Sequence, residues 1–388
     1  MPSPIVNVFQ PSLGEEELSA VREVFASNWI GRGPQVEGFE REFAARLGVD
    51  PSHIVSVNSC TEATFLAMEL LDIGPGDEVV IPTIGFVGAA NAVAASGARP
   101  VFCDVDPRTL NATVENVTEA LSPATKAVLM LHYGGRPGQI AHIARLCRDR
   151  GILLIEDAAN AQASWSEGRA CGTFGDIGVW SFDHGKIAVS VDGGMLYARD
   201  PRLAERATRL AYFGMEQTSG FSEARHTRTR WWDFDVTSYS RRSITNDVLA
   251  AVGRVQLRRL PDFLARRREV AAAYDERLAD VPGLLLPPPL PAGQVTSDYL
   301  YWVQMNPDIR DLVARDLYDR GVYTTFRYPR LHRVGAYGSD AELACADQAA
   351  ASTLCLPQHQ ALSEDDIDLV TTALTKAVTE RTNALAQA

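Results

Sequence analysis

From residue 54 to about residue 200 the chain alternates two patterns. Short runs of consecutive apolar residues (IVSV at 54–57, DEVVI at 77–81, RPVFC at 99–103, KAVLML at 126–131, ILLIE at 152–156) are separated by stretches such as TEATFLAMELL, FVGAANAVAAS and IAHIARLCRDR, where apolar positions recur at helical spacing. Strands that are apolar at successive positions, not alternate ones, are strands covered on both faces by crossover helices. The pattern therefore predicts a mainly parallel α/β sheet. GPGDE at 74–78 and ASGARP at 95–100 punctuate it, each closing a helix and opening a strand.

A second region opens near residue 246, where NDVLAAVGRVQLRRLPDFLARRREVAAAYDERL carries helical spacing with a basic outer face. Pro261 is expected to kink or restart that helix, and RRR at 266–268 reads as a solvated helix face, not a nucleic-acid patch. LLLPPPLPAG at 284–293 reads as an extended linker. YLYWVQM, a helix around IRDLVARDLYDRG, VYTTF and an amphipathic helix from about 363 then suggest a smaller α+β domain. The expected division is a large α/β domain at 1–245, with an N-terminal helical segment, and a long connecting helix plus small domain at 246–388.

Composition narrows the function class. Of 388 residues, 46% are hydrophobic and 22% charged, which is an ordinary globular balance. A net charge of −12 opposes nonspecific attraction to nucleic acid or anionic lipid, so small-molecule partners are expected. Cysteines at 60, 103, 147, 171, 345 and 355 form no zinc-like spacing and are expected as reduced thiols. The N-terminus lacks a basic region followed by an apolar core, and no run reaches membrane-spanning length, so a cytoplasmic protein is expected.

Open α/β sheets bind ligands beyond the carboxyl ends of their strands. NSCTEAT follows IVSV, and its helix-opening amides with the Thr61 hydroxyl suit a phosphate, although an ordinary helix cap has the same look. PTIGF follows DEVVI and puts Phe86 where its ring could lie flat on a planar ligand or join the core. DAANAQAS follows ILLIE, so that Asp157 ends a strand as a cap or as the partner of a ring nitrogen. WSFDHGK then supplies Ser181 and Lys186, a lysine between apolar runs where an ammonium is poorly solvated. Each has a purely structural reading alone. Together they are what pyridoxal 5′-phosphate requires: a phosphate cup, a stacking ring, a carboxylate that keeps the pyridine nitrogen protonated, and an amine that forms a Schiff base.

The segments GPGDEVVIPTIGFVGAANAVAASGARPVFCDVD, IEDAANAQAS, GTFGDIGVWSFDHGK and DGGM closely resemble the DegT/DnrJ/EryC1/StrS sugar aminotransferases, of the fold type I pyridoxal phosphate enzymes. The resemblance runs from SNWIGRGPQVEGFEREFAARLG near residue 27 to LCLPQHQALSEDDIDLVTTAL near 374. It implies a seven-stranded sheet, Lys186 as the Schiff-base lysine, Asp157 on the pyridine nitrogen, Phe86 and Ala159 on the two ring faces, and Ser181, Cys60 and Thr61 around the phosphate. It further implies transfer of an amino group from L-glutamate to a nucleotide-linked keto-sugar, such as a dTDP-4-keto-6-deoxyhexose or its 3-keto isomer. The setting is amino-deoxysugar biosynthesis for a natural product or surface glycan, in a homodimer whose subunits share the active site.

Departures from the family pattern accompany the resemblance. Asn160 stands where Gln or His usually meets the cofactor's phenolic oxygen, and Cys60 replaces a usual glycine. Arg242, in SRRSIT at 240–245, takes the place of an Asn that reaches the neighbouring subunit's phosphate, and Ile244 replaces an arginine. HTRTRWWDF at 226–234, with Arg230 and Trp232, joins Arg241 as candidate substrate contacts, and His332 in YPRLHRVGAYG is a candidate for the amino donor carboxylate or substrate. The aminocyclitol and aminobenzoate branches of the family stay open, since fold and cofactor do not fix substrate. A sugar 3-dehydratase, which replaces the lysine, and a non-catalytic cofactor-binding regulator are disfavoured by Lys186 and Asp157.

Overall fold

The computed structural model describes residues 5–216 and 229–387. Two N-terminal helices, α1 (Glu15–Ser27) and α2 (Pro34–Leu47), lead into the alternating region. There β1 (Ile54–Val57), α3 (Cys60–Leu70), β2 (Glu78–Pro82), α4 (Val87–Ala95), β3 (Arg99–Cys103), α5 (Val114–Ala120), β4 (Thr125–Leu131), α6 (Ile140–Arg150) and β5 (Leu153–Asp157) follow in order. A two-strand hairpin, β6 (Trp165–Ser166) and β7 (Arg169–Ala170), precedes β8 (Ile177–Ser181), β9 (Gly194–Ala198) and α7 (Pro201–Leu210).

The central sheet has seven strands in the order β1-β9-β8-β5-β4-β2-β3. β3, β2, β4, β5 and β8 pair in parallel, and β9 runs antiparallel to both of its neighbours. Every residue of β1, β2, β8 and β9 is buried, which is why these strands are apolar at consecutive positions. Helix boundaries follow local chemistry. The Ser59 hydroxyl accepts from the Glu62 amide at 3.1 Å to cap α3, and Gly48 and Gly151 close α2 and α6 in the left-handed conformation.

The expected mainly parallel sheet is thus present, whereas the expected restart of the following helix at Pro261 and the expected solvated face at 266–268 are corrected. This helix, α8 (Asp247–Leu278), is continuous through Pro261. A proline leaves the carbonyl four residues earlier without its helical donor; that carbonyl belongs to Leu257, and the Arg46 guanidinium of α2 donates to it instead. The packing of α8 against α1 and α2 brings Arg46 there. Nor is 266–268 a uniformly solvated face. Arg267 is buried, donates to the carbonyls of Asp298 and Tyr299 at 3.0 and 2.8 Å, and is pushed down to about 10 by burial.

The C-terminal part packs β11 (Tyr301–Gln304) antiparallel to β12 (Thr353–Leu356). Around them lie α9 (Pro307–Asp319), α10 (Ala344–Ser352) and α11 (Glu364–Gln387), and β10 (Gln294–Val295) pairs with β6. A distinct apolar cluster joins α8, α9, α11 and Val6. All six cysteines are unpaired. Among the described residues no helix is long and apolar enough to cross a membrane, and no cluster of His, Cys, Asp and Glu could hold a metal ion.

Candidate active site

The carboxyl ends of β1, β2, β5 and β8 lie along one edge of the sheet, and the residues following them enclose a cavity of about 120 Å3. Lining it are Ser59, Cys60 and Thr61 after β1, Phe86 after β2, Asp157 and Ala159 at the end of β5, and Ser181, Asp183 and Lys186 after β8. Residues separated by more than a hundred positions in sequence thus meet because parallel strands deliver every carboxyl end to one side.

Lys186 is half-buried, with Nζ 3.3 Å from Asn160 Oδ1, 3.4 Å from the Tyr299 hydroxyl and 4.7 Å from the Tyr299 ring centre. Burial works against its ammonium, but the phenols of Tyr299 and Tyr328, with Asp183 and Cys60, outweigh burial and raise its proton affinity above that of ordinary lysine. Asp157 is buried, and its Oδ1 accepts the Ala159 amide at 3.0 Å. Desolvation lifts its pKa, the Ala159 amide, Lys186 and His132 offsetting only part of the effect. A carboxylate in that state favours a cation or N–H donor brought into contact with it.

The pocket accommodates pyridoxal phosphate on three counts. The Asp157 carboxylate offers a ring N–H an acceptor, and beside the cavity, not among its lining residues, Asn160 has a buried Nδ2 that among the described residues is without a hydrogen-bond partner. The first-turn amides of α3 at Cys60 and Thr61 precede the amide that Ser59 caps, and stay available for an anion. This turn is packed tightly from below: a Cβ on Gly194 would stand 2.4 Å from the Ser59 carbonyl and 2.6 Å from the Cys60 nitrogen. Gly194→Ala is therefore expected to displace the turn, weakening cofactor affinity by at least tenfold and lowering stability by about 1–3 kcal/mol. Fluorescence titration with pyridoxal phosphate and thermal melting read the two effects; unchanged affinity would refute the role of the turn.

The remaining sequence candidates lie elsewhere. Arg241 binds Glu62 and Glu69 of α3 at 2.7 and 2.6 Å, while Arg242 is exposed and its backbone bridges Tyr212. Arg230 stands 3.7 Å from Asp233, and Trp232 is 61% exposed. None of these lines the cavity within this chain. Residues 226–228 of HTRTRWWDF are outside the described residues. His332 is buried, 2.6 Å from the Thr83 hydroxyl and 3.5 Å from Asp347, and does not line the cavity either.

Conversely, sequence reasoning passed over Tyr299, Arg327 and Tyr328. Tyr299 opens YLYWVQM, a run that served only to suggest the smaller α+β domain, and Tyr328 lies in YPRLHRVGAYG, singled out for its histidine. Tyr328 and Arg327 line the cavity, and the Tyr328 hydroxyl lies 3.4 Å from Asn160 Oδ1, its pKa pushed up to about 12 by burial. A tyrosine pair converging on one lysine is visible only after the C-terminal part of the chain has folded against the sheet.

Known proteins show the same architecture. The family model described as the DegT/DnrJ/EryC1/StrS aminotransferase family matches residues 11–375. A dTDP-4-dehydro-2,3,6-trideoxy-D-glucose 4-aminotransferase from Saccharopolyspora spinosa is 57% identical over 374 residues, 96% of this chain and 97% of the relative. The spore coat polysaccharide biosynthesis protein SpsC of Bacillus subtilis is 34% identical over 375 residues, covering 94% and 95% of the two chains. The crystal structure of the aminotransferase TlmJ from Streptoalloteichus hindustanus superposes with a TM-score of 0.93 at 60% identity, over 97% of this chain and 99% of that one.

Proposed function

Because the chain belongs to the DegT/DnrJ/EryC1/StrS aminotransferase family, we propose that it carries an amino group from L-glutamate to a dTDP-4-keto-6-deoxyhexose. The protein is a sugar aminotransferase, and the 57% identity to a dTDP-keto-sugar 4-aminotransferase is the observation that carries this choice of acceptor. A 3-keto isomer is the neighbouring alternative, because a shift of about an ångström in the sugar decides which carbon meets the amine.

Pyridoxal 5′-phosphate, when bound, supplies an aldehyde that captures amines and a ring that accepts electrons as a Cα–H bond breaks. Cys60, Thr61 and Ser181 would hold its phosphate, Phe86 and Ala159 would pack its ring, and Asn160 would donate to its phenolic oxygen. Asp157 keeps the ring nitrogen's proton in place, with the Ala159 amide fixing the carboxylate's orientation. Lys186 Nζ has two tasks: it holds the resting cofactor, and once free it takes the proton from the donor Cα and returns one to the acceptor carbon. Asn160 and Tyr299 keep Nζ aimed between these tasks.

A two-fold dimer belongs to this reading. Trp232 and Phe234 are 61% and 59% exposed, and Arg242 extends from the same part of the chain with no part in its own cavity. A second copy would cover those rings and receive Arg242 at its phosphate cup. The test is a two-step assay: L-glutamate first converts the bound cofactor to its amino form, and a panel of keto-sugar nucleotides is then scored for restoring the original absorbance. Restoration by the dTDP-4-keto-6-deoxyhexose is expected. Restoration only by keto-inositol compounds would overturn the choice of acceptor.

A further inference from the structure

The first described residues reach the active site from outside it. Val6 pairs in parallel with Val322, its amide donating to the Gly321 carbonyl and its carbonyl accepting from the Tyr323 amide, both at 2.9 Å. The Gln358 amide donates to the Val8 carbonyl at 3.1 Å, and His359 Nε2 to the Asn7 carbonyl at 3.1 Å. Val6 and Val8 are buried, Val6 within the apolar cluster of α8, α9 and α11. Residues 6–8 are therefore held along their backbone by the C-terminal part of the chain, which leaves Phe9 at the end of an anchored segment.

Phe9 does not line the cavity, yet it packs against two side chains there. Its ring stacks on Tyr299, with ring centres 5.4 Å apart and planes 19° apart, and the Arg327 guanidinium carbon stands 4.3 Å from its centre. Tyr299 is the residue whose hydroxyl and ring centre lie 3.4 and 4.7 Å from Lys186 Nζ. The Tyr299 backbone is fixed, its amide donating to the Gly134 carbonyl at 3.1 Å and its carbonyl accepting from Arg267 at 2.8 Å. Those bonds do not fix the ring, because the last side-chain torsion of a tyrosine is soft, and the 3.4 Å contact with Nζ is too long to aim it. Packing sets the ring plane, and offset stacking on Phe9 supplies that packing. Resting on the proposed aminotransferase reading, we infer that Phe9 is a positioning residue: through the plane of the Tyr299 ring it sets where Lys186 Nζ stands between cofactor capture and proton transfer.

The test compares the full-length enzyme loaded with pyridoxal phosphate as wild type, Phe9→Leu, Phe9→Tyr, Tyr299→Leu and the double variant carrying Phe9→Leu and Tyr299→Leu. The readout is the pH midpoint at which the visible absorbance of the lysine-bound cofactor is lost, with thermal melting and the single-turnover rate with L-glutamate measured beside it. Burial opposes a cation at Nζ and Tyr299 favours one. Phe9→Leu keeps apolar bulk without a flat face, so it should lower the midpoint by about half a pH unit and the rate on the order of tenfold. Phe9→Tyr restores the flat ring and should match wild type within about twofold in rate. Tyr299→Leu should lower the midpoint at least as far, and adding Phe9→Leu to it should shift the midpoint no further, since the two residues act in series. Tyr328, Asp183, Cys60 and Asp157, which also act on Nζ, are the same in all five proteins. A fall in melting temperature with an unmoved midpoint, or shifts that add in the double variant, would overturn the assignment. A wild-type protein with no lysine-bound absorbance would defeat the functional reading itself, an outcome distinct from both.

Discussion

Replacing Lys186 by alanine is expected to reduce transamination by about 10^4-fold or more, because one atom performs both covalent capture and proton transfer. The visible absorbance of the lysine-bound cofactor should vanish, while noncovalent affinity should survive, since the phosphate turn, Phe86 and Asp157 are untouched. Stability should fall modestly, because the neighbours that raise the proton affinity of Lys186 in the folded chain favour its ammonium there. Among the described residues the hydrogen bonds of Nζ are long, 3.3 and 3.4 Å, so deleting it strands no strongly bonded partner. An added primary amine should restore a fraction of the rate by supplying the missing base. Rapid-mixing spectrophotometry with L-glutamate checks the rate, and a variant retaining more than a hundredth of wild-type activity would place the chemistry on another residue.

The second large effect concerns Asp157→Asn, which keeps the shape and removes the charge. Without a carboxylate the ring nitrogen of the cofactor loses its proton and much of its capacity to accept electrons, so removal of the donor Cα proton should slow on the order of a thousandfold. Stability should move in the opposite direction. Asp157 has its folded pKa raised by desolvation. Such an acid contributes stability below its unfolded pKa and loses it as pH rises through the folded value, so at neutral pH the cofactor-free protein bears the full penalty of burying that charge. Asp157→Asn removes that penalty. The cofactor-free variant should therefore melt at or above the wild-type temperature near pH 7, the difference shrinking as pH falls toward 4. Cofactor binding should stabilise it less than it stabilises wild type. A variant less stable than wild type in the cofactor-free form would show that the carboxylate is needed for the fold instead.

Strand-end chemistry was legible because parallel topology forces it: once IVSV, DEVVI and ILLIE are read as strands covered on both faces, the residues just past their carboxyl ends must meet at one edge. Long-range compensation was not. Nothing local in the α8 segment announces that Arg46, more than two hundred residues earlier, will satisfy the carbonyl that Pro261 deprives of its donor. Arg267 reads as one member of a basic run, and its burial against the Asp298 and Tyr299 carbonyls depends on how the C-terminal part of the chain packs. That contact holds the backbone from which the Tyr299 hydroxyl reaches Lys186.

The same limit applies to substrate contacts. His332 was singled out by residue type, but the Thr83 hydroxyl at 2.6 Å takes up its Nδ1. Arg241 was singled out by charge, and Glu62 and Glu69 neutralise it. Arg327 lines the cavity with the Phe9 and Tyr328 rings beside its guanidinium. What separates these three cations or potential cations is the chemistry of their neighbours, which arrives only with tertiary structure.

The central claim is that a single amine, Lys186 Nζ, bonds the cofactor. Incubation of the purified protein with pyridoxal 5′-phosphate, reduction with borohydride and peptide mapping by mass spectrometry address it directly. One phosphopyridoxyl group on the peptide containing Lys186, absent when L-glutamate is added before reduction, is the result the account predicts. An unmodified Lys186 peptide, or label spread over surface lysines and insensitive to glutamate, would contradict it.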